Sequence, residues 1–219
     1  METLHINNKW FFAREGLIFI FIGCALTSLF MYLNFLFASV VACIATAFVL
    51  FFFRDPDRTN NAGRDAILTP ADGTILEVKH LEGTDNPLGQ PAIKISVFMS
   101  LFNVHVNRIP VTGTVKKIIY QPGKFFSANL DKASKYNENN RIEMETTDSL
   151  KIVVVQIAGL IARRIACWVK EGDNLTTGQR FGLIRFGSRL EVYVPDNLKI
   201  IAQPHQKVKA GKSIIGYLP

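Results

Sequence analysis

Between Gly16 and Phe53 the chain carries no Asp, Glu, Lys, Arg or His. An apolar membrane span needs about 20 residues, so this stretch is too long for one span and close to two short ones. Asn34, in "MYLNF", falls near its middle and suits a turn between two helices. A cleaved signal peptide does not fit, because its apolar region runs to only about 7–15 residues. Lys9 and Arg14 precede the stretch, and Arg54 and Arg58 follow it. Basic residues at both ends favour keeping both ends on the cytoplasmic side of a cell (inner) membrane. The expected organisation is a short segment 1–15, a hydrophobic helical hairpin 16–53 serving as anchor, and a soluble domain 54–219. One long tilted span, or a hairpin lying in one leaflet, satisfies the same composition.

The soluble part reads as mainly β. "AIKISVFM", "GTVKKIIY", "RIEMETT", "LKIVVVQI", "IARRIACWV", "GLIRFGSRLEVYVP" and "KSIIGYL" are short runs rich in β-branched and aromatic residues. Gly, Pro, Asn and Asp punctuate them, as expected of strands joined by turns. "SANLDKASKYNENN" is the exception, a polar segment that reads as a loop or a marginal helix. There is also an internal echo. "PADGTILEV" begins at Pro70 and "PVTGTVKKI" at Pro110, while "VKEGDNLTTGQRFG" and "PHQKVKAGKSIIG" are loosely alike. These Gly-turn-strand units resemble barrel-sandwich hybrid domains, which predicts a compact barrel-sandwich-like domain of short strands.

Charge is distributed unevenly. Residues 1–150 hold 14 Lys and Arg against 14 Asp and Glu, whereas residues 151–219 hold 11 against 4, which yields the net +7. A basic domain beside an apolar anchor suits anionic lipid headgroups. Nucleic acid is the usual rival, but no recognition helix or aromatic RNA motif accompanies the charge. A solvated basic face is the plain structural reading. Cys24, Cys43 and Cys167 form no framework, and no C-x-x-C or H-E-x-x-H occurs. Neither zinc nor any other metal, nor a disulfide scaffold, is indicated.

Gly187 and Ser188 interrupt the apolar run "GLIRFGSRLEVYVP". Gly-Ser is ordinarily turn chemistry, and within a strand it marks a bulge or a close backbone approach. It also permits a rearrangement. A serine hydroxyl can attack the carbonyl before it to give an ester, and β-elimination then releases the upstream chain and leaves dehydroalanine. Hydrolysis of that group caps the downstream chain with a pyruvoyl group and frees ammonia. The steps need a hydroxyl after the scissile bond, a small residue before it, a base for the hydroxyl and donors for the oxyanion.

Three motifs raise this beyond a common dipeptide. "TPADGTI" at 69–75, "FMSLFNVHVNRIPVTGTV" at 98–115 and "GLIRFGSRLEVYVP" together resemble the phosphatidylserine decarboxylase family, in the family's order. With the apolar stretch and "FFFRDPDR", the chain is most similar to the short, archaeal-type branch. The resemblance implies a lyase that makes its own pyruvoyl cofactor from Ser188 by cleaving after Gly187. Large and small chains, 1–187 and 188–219, would stay together as a heterodimer, with higher oligomers left open. Asp72 matches the family's acidic residue that assists cleavage, and its plain reading is a turn Asp before Gly73. His105 matches the family's active-site histidine, the best candidate for proton donor because imidazole titrates near neutrality. Its plain reading is a strand histidine satisfied by the backbone. Arg108 stands where longer relatives carry a second histidine, so either His105 serves both cleavage and turnover or Asp72 acts directly or through water. The implied reaction converts phosphatidylserine in the membrane to phosphatidylethanolamine and CO₂. A lipid substrate gives a reason for the anchor that a soluble amino acid does not. Arg185 and Arg189 flank the cleavage site and are candidates for holding the substrate phosphate or carboxylate, with surface solubility as the plain alternative.

Two other classes compete. A membrane-tethered barrel-sandwich carrier or adaptor without chemistry would want a Met-Lys pair or similar lysine turn, and none stands at a hairpin tip. A serine hydrolase would want a G-x-S-x-G elbow between strand and helix, and "RFGSRLE" lacks the second glycine.

Overall fold

A computed structural model describes residues 10–130, 132–160, 164–185 and 187–219. The chain divides into two compact units, residues 10–57 and residues 58–219.

The first unit is a helical hairpin. A 3₁₀ turn at Arg14–Gly16 leads into α1 (Leu17–Tyr32), and α2 (Leu36–Phe52) returns antiparallel to it. Asn34 makes the reversal at φ 59°, a left-handed conformation that Asn tolerates better than most residues. The two ends meet through a bridge between Phe12 and Arg54, and Ala13 N donates to Phe53 O at 2.7 Å. Gly23 allows the helices to close up, since a β-carbon there would stand 2.3 Å from Thr46 Oγ1. Thr27 and Thr46 turn their hydroxyls back onto Gly23 O and Ala42 O within their own helices, the arrangement an apolar medium demands. The outer surface is apolar, with Phe21, Leu36 and Phe37 exposed. Arg14–Tyr32 is long and apolar enough to cross a membrane; Leu36–Phe52 is apolar but shorter.

The second unit is mostly β, as its runs of β-branched and aromatic residues predict. Its main sheet curls into a half-barrel of eight antiparallel strands. At the centre lie β3 (Ala92–Met99), β11 (Ser188–Pro195) and β7 (Lys151–Ala158), flanked by β2 (Gly73–Leu81) and β6 (Asn139–Glu145). Beyond β6 comes β5 (Gly113–Gln121), and two short strands, β13 (Lys207–Val208) and β9 (Asn174–Leu175), close the edges. A second sheet pairs β4 (Val106–Arg108), β10 (Arg180–Ile184) and β8 (Ile165–Cys167); a third pairs β1 (Ala66–Leu68), β14 (Ile214–Tyr217) and β12 (Lys199–Ile200). The polar segment 127–140 holds one short helix, α3 (Lys132–Tyr136). The main core gathers side chains such as Ile75, Val97, Met99, Ile142, Val154, Leu190 and Val192 on the concave side.

The internal echo is structural. Gly73 opens β2 and Gly113 opens β5, and a bulge follows at Ile75/Glu77 in one and Val115/Lys117 in the other. β13 pairs with β2 through Val208↔Gly73 and Lys207↔Thr74. β9 pairs with β5 through Leu175↔Gly113 and Asn174↔Thr114. Gly211 and Gly178 end the two edge turns with φ 66° and 83°. The strand order β13-β2-β3 on one side mirrors β9-β5-β6 on the other, with β11 and β7 between.

Candidate active site

The apolar run around Gly187 and Ser188 is two strands rather than one. β10 ends at Ile184 in the small sheet, and β11 begins at Ser188 in the large one. Gly187 makes the transition with φ 65°, a conformation that a side chain would strain. Its carbonyl is held closely, because a β-carbon on Gly159 would stand 1.9 Å from Gly187 O. Gly159 follows β7 directly, and sequence reasoning gave no reason to single it out.

Ser188 occupies the centre of the large sheet, opposite Met99 on one side and Ala158 on the other. Alternation along β11 turns Ser188, Leu190 and Val192 toward the main core. The Ser188 hydroxyl is fully buried and has no hydrogen-bond partner among the described residues. Leaving a buried polar group unpaired costs about 1–3 kcal/mol, so an orphaned hydroxyl beside a left-handed glycine calls for a functional reason.

His105 immediately precedes β4 and is fully buried. Its Nδ1 lies 2.9 Å from Asn103 O. A carbonyl only accepts, so Nδ1 carries the proton and Nε2 is the basic atom. Ile184 N donates to His105 O at 3.4 Å. The histidine is thereby tied to the strand that delivers the Gly187–Ser188 bond.

Asp72 sits at the start of β2 and is buried. Arg58 grips it with both terminal nitrogens, Nη2 to Oδ2 at 2.8 Å, and Ala210 N donates to Oδ1 at 2.8 Å. Arg58 Nη1 also donates to Ala210 O at 2.7 Å. The carboxylate is thus a paired group. Thr74 faces Phe98 across the ladder, and Phe98 faces Arg189, so Asp72 lies at the Ser188 end of the sheet about two strand spacings away, roughly 10 Å. Arg58 was visible in "FFFRDPDR", but nothing in the sequence linked it to Asp72. Arg108, in the second-histidine position, donates from Nη1 to Gly178 O at 2.9 Å, and its Cδ packs where a β-carbon on Gly211 would be 2.8 Å away. It fastens the two edge turns to each other, a task for a long guanidinium and not for a base.

The flanking arginines do not share one setting. Arg185 is half-buried, and its backbone N donates to Arg164 O at 3.3 Å. Arg189 alternates to the face of β11 opposite Ser188. Its side chain is 1% exposed, with Nη2 2.8 Å from Glu77 and 2.9 Å from Ser96, and Nε 2.9 Å from Glu191. Glu77 and Glu191 both face its guanidinium, with Lys94 as the second cation on Glu77, and Tyr193 O–H donates to Glu191 at 2.7 Å. Burial, then the Glu191 charge and hydrogen bond, push the Tyr193 hydroxyl well above its ordinary value. For Glu77, burial opposes ionisation. The hydrogen bond and charge of Lys94, with the charge of Arg189, overcome it and hold the carboxyl below its ordinary value.

Two cavities open at this end of the sheet. One, about 350 Å³, is mainly apolar, lined by Phe98, Leu101, Phe102, Ala128, Leu160 and Gly187. The other, about 330 Å³, is polar, lined by Asp72, Thr74, Asn103, Lys207 and Lys209. Ser100 lines both. A larger cavity of about 670 Å³, around Thr112, Thr146 and Thr176, holds none of the candidate residues.

The sequence profile of the phosphatidylserine decarboxylase family matches residues 45–216. The chain belongs to the phosphatidylserine decarboxylase family. It is 50% identical over 208 residues to the phosphatidylserine decarboxylase proenzyme of Syntrophus aciditrophicus, covering 94% of this chain and 97% of that one. The proenzyme of Desulfotalea psychrophila is 45% identical over 206 residues, covering 94% and 96%. That of Rickettsia conorii is 47% identical over 210 residues, covering 92% and 88%. Decarboxylases of this family are pyruvoyl-dependent lyases, with the pyruvoyl group formed from a serine on self-cleavage. Gly187, Ser188 and the unpartnered hydroxyl fit that requirement. Once formed, the pyruvoyl group supplies an electron sink for the bond to the departing carboxylate.

Proposed function

We propose that this chain is the proenzyme of a membrane-bound phosphatidylserine decarboxylase that breaks its own Gly187–Ser188 bond. The observation that carries the assignment is the buried, unpartnered Ser188 Oγ next to a left-handed glycine whose carbonyl is fixed against Gly159. His105 Nε2 takes the Ser188 proton as Oγ attacks the Gly187 carbonyl. An ester replaces the amide, elimination frees the Gly187 carboxylate, and water releases ammonia from the new terminus. The same histidine returns a proton to the substrate α-carbon after CO₂ leaves. Asp72, held by Arg58, fixes the start of β2 at the mouth of the site and is a positioning residue.

The two products, 1–187 and 188–219, stay together as a heterodimer, because β11 remains laddered between β3 and β7 after the cut. The helices of the first unit lie in the cell (inner) membrane with the catalytic unit on the cytoplasmic side, in keeping with the basic residues at both ends of the hairpin.

Intact mass of purified protein tests this directly. Two chains with masses for 1–187 and for 188–219 carrying a pyruvoyl terminus are expected, together with release of CO₂ from phosphatidylserine. A single full-length mass in an active preparation would falsify the assignment.

A further inference from the structure

We propose that Lys207 and Lys209, with Thr74, form the seat for the phosphate of the substrate headgroup; this rests on the phosphatidylserine decarboxylase reading. The polar cavity they line shares the lining residue Ser100 with the apolar cavity, which Gly187 lines at the scissile bond. An amine brought to residue 188 therefore lies by the apolar cavity, with the polar cavity beyond Ser100. In a phosphoserine headgroup only the serine side chain separates that amine from the phosphorus. Lys207 pairs with Thr74, Thr74 with Phe98, and Phe98 with Arg189, so this row lies on the Arg189 face of the sheet and reaches residue 188 around the strand ends, not across the core face that the Ser188 side chain occupies. The backbone distance is three strand spacings, roughly 14 Å, which the lysine stem and the headgroup span between them.

Charge in the cavity favours an anion. Asp72 is its carboxylate, and Arg58 neutralises it in a two-point pair. Among the described residues neither Lys207 nor Lys209 pairs with a carboxylate, so the two exposed lysines bring uncompensated positive charge to the cavity they line. A lysine ammonium is a compact partner for a phosphate.

The internal repeat separates what the fold requires from what the site adds. Gly211 has its counterpart in Gly178, Val208 in Leu175 and Gly73 in Gly113. Ala210 N caps Asp72, and Thr177 N caps Thr112 in the same way. Lys207 corresponds instead to Asn174, Lys209 to Thr176 and Asp72 to Thr112. The repeat thus folds without these three charges. They occur together only in the half whose cavity shares Ser100 with the cavity lined by Gly187.

The test uses processed full-length protein in nonionic detergent micelles. The double variant Lys207→Gln, Lys209→Gln removes both charges and keeps most of each stem. Its KM for phosphatidylserine should rise at least tenfold. Inhibition by glycerophosphoethanolamine should weaken to a similar degree, while that by ethanolamine, which lacks phosphate, should not. The pair Lys199→Gln, Lys212→Gln removes the same charge outside the cavity and should leave KM within twofold. Binding to phosphatidylglycerol vesicles separates a headgroup seat from a bilayer-facing patch. If the cavity double variant loses vesicle binding but keeps its inhibition by glycerophosphoethanolamine, the lysines serve the membrane surface and the proposal is overturned. An unchanged KM overturns it as well. Failure of the functional reading would look different: the unmodified protein would show one mass and release no CO₂.

Discussion

The backbone of Gly159 lies against the carbonyl of Gly187, so that a β-carbon at 159 would stand 1.9 Å from the carbonyl oxygen. This contact joins the end of β7 to the bond proposed to break.

Gly159→Ala should therefore disturb cleavage more than stability. Either β7 or the Gly187 carbonyl must move, at a packing cost of about 1–3 kcal/mol. Self-cleavage, followed by the appearance of chain 188–219 on a denaturing gel, is expected to slow at least tenfold. Normal processing in this variant would show that the carbonyl needs no such support.

Ser188→Ala should yield a folded, uncut and inactive protein, since no oxygen is left to attack. It should also be at least as stable as the precursor, because it removes a buried hydroxyl that has no partner among the described residues. A thermal melt of the uncut variant beside slowly processing precursor checks the second point.

Asp72→Asn and Arg58→Ala should act alike, because each leaves the other member of a buried pair exposed to its loss. Breaking such a pair costs about 3–5 kcal/mol, and cleavage should slow with it. If Asp72 were an independent base, Asp72→Asn alone would stop cleavage while Arg58→Ala would not. Pulse-chase of the two variants separates these outcomes.

Arg189→Ala should destabilise the fold by about 3–5 kcal/mol, since Glu191 is 2% exposed and would lose its counterion. The Glu77 carboxyl, depressed below its ordinary value of 4.5, adds a pH dependence. A group with a lowered folded-state pKa favours the native state above its ordinary value, and that contribution is lost as pH falls through the folded value. Urea melts should show a stability gap between the parent chain and Glu77→Gln that is present at pH 7 and shrinks as pH drops below 4.5.

Membrane attachment should resist salt. Apolar burial is worth about 0.8 kcal/mol per CH₂, whereas each Lys or Arg near anionic lipid adds about 1 kcal/mol that salt screens. Deleting residues 1–53 should release the protein from membranes, and the remaining chain should still cut at Ser188. Release of the intact protein by a high-salt wash alone would show that the association is electrostatic.

Local pattern carried much of this protein. An uncharged run with Asn34 at its middle is enough for two helices and a turn, because helix formation and the reversal depend on near neighbours. The short runs rich in β-branched and aromatic residues predicted short strands, and the repeated Gly-turn-strand units predicted a compact barrel-sandwich-like domain. The dipeptide Gly187-Ser188 and the residues Asp72 and His105 were visible because they lie inside recognisable motifs. Tertiary structure decided the rest, since a strand ladder brings together residues far apart in sequence. It split "GLIRFGSRLEVYVP" between two sheets, a break that alternation cannot register when both halves are buried. It turned Arg189 away from Ser188 by the two-residue period and set it between Glu77 and Glu191. It gave Asp72 an arginine partner, Arg58, from outside the motif, and it laid Gly159 against the Gly187 carbonyl. Each of these depends on register between distant strands, which the sequence constrains only through the whole folded sheet.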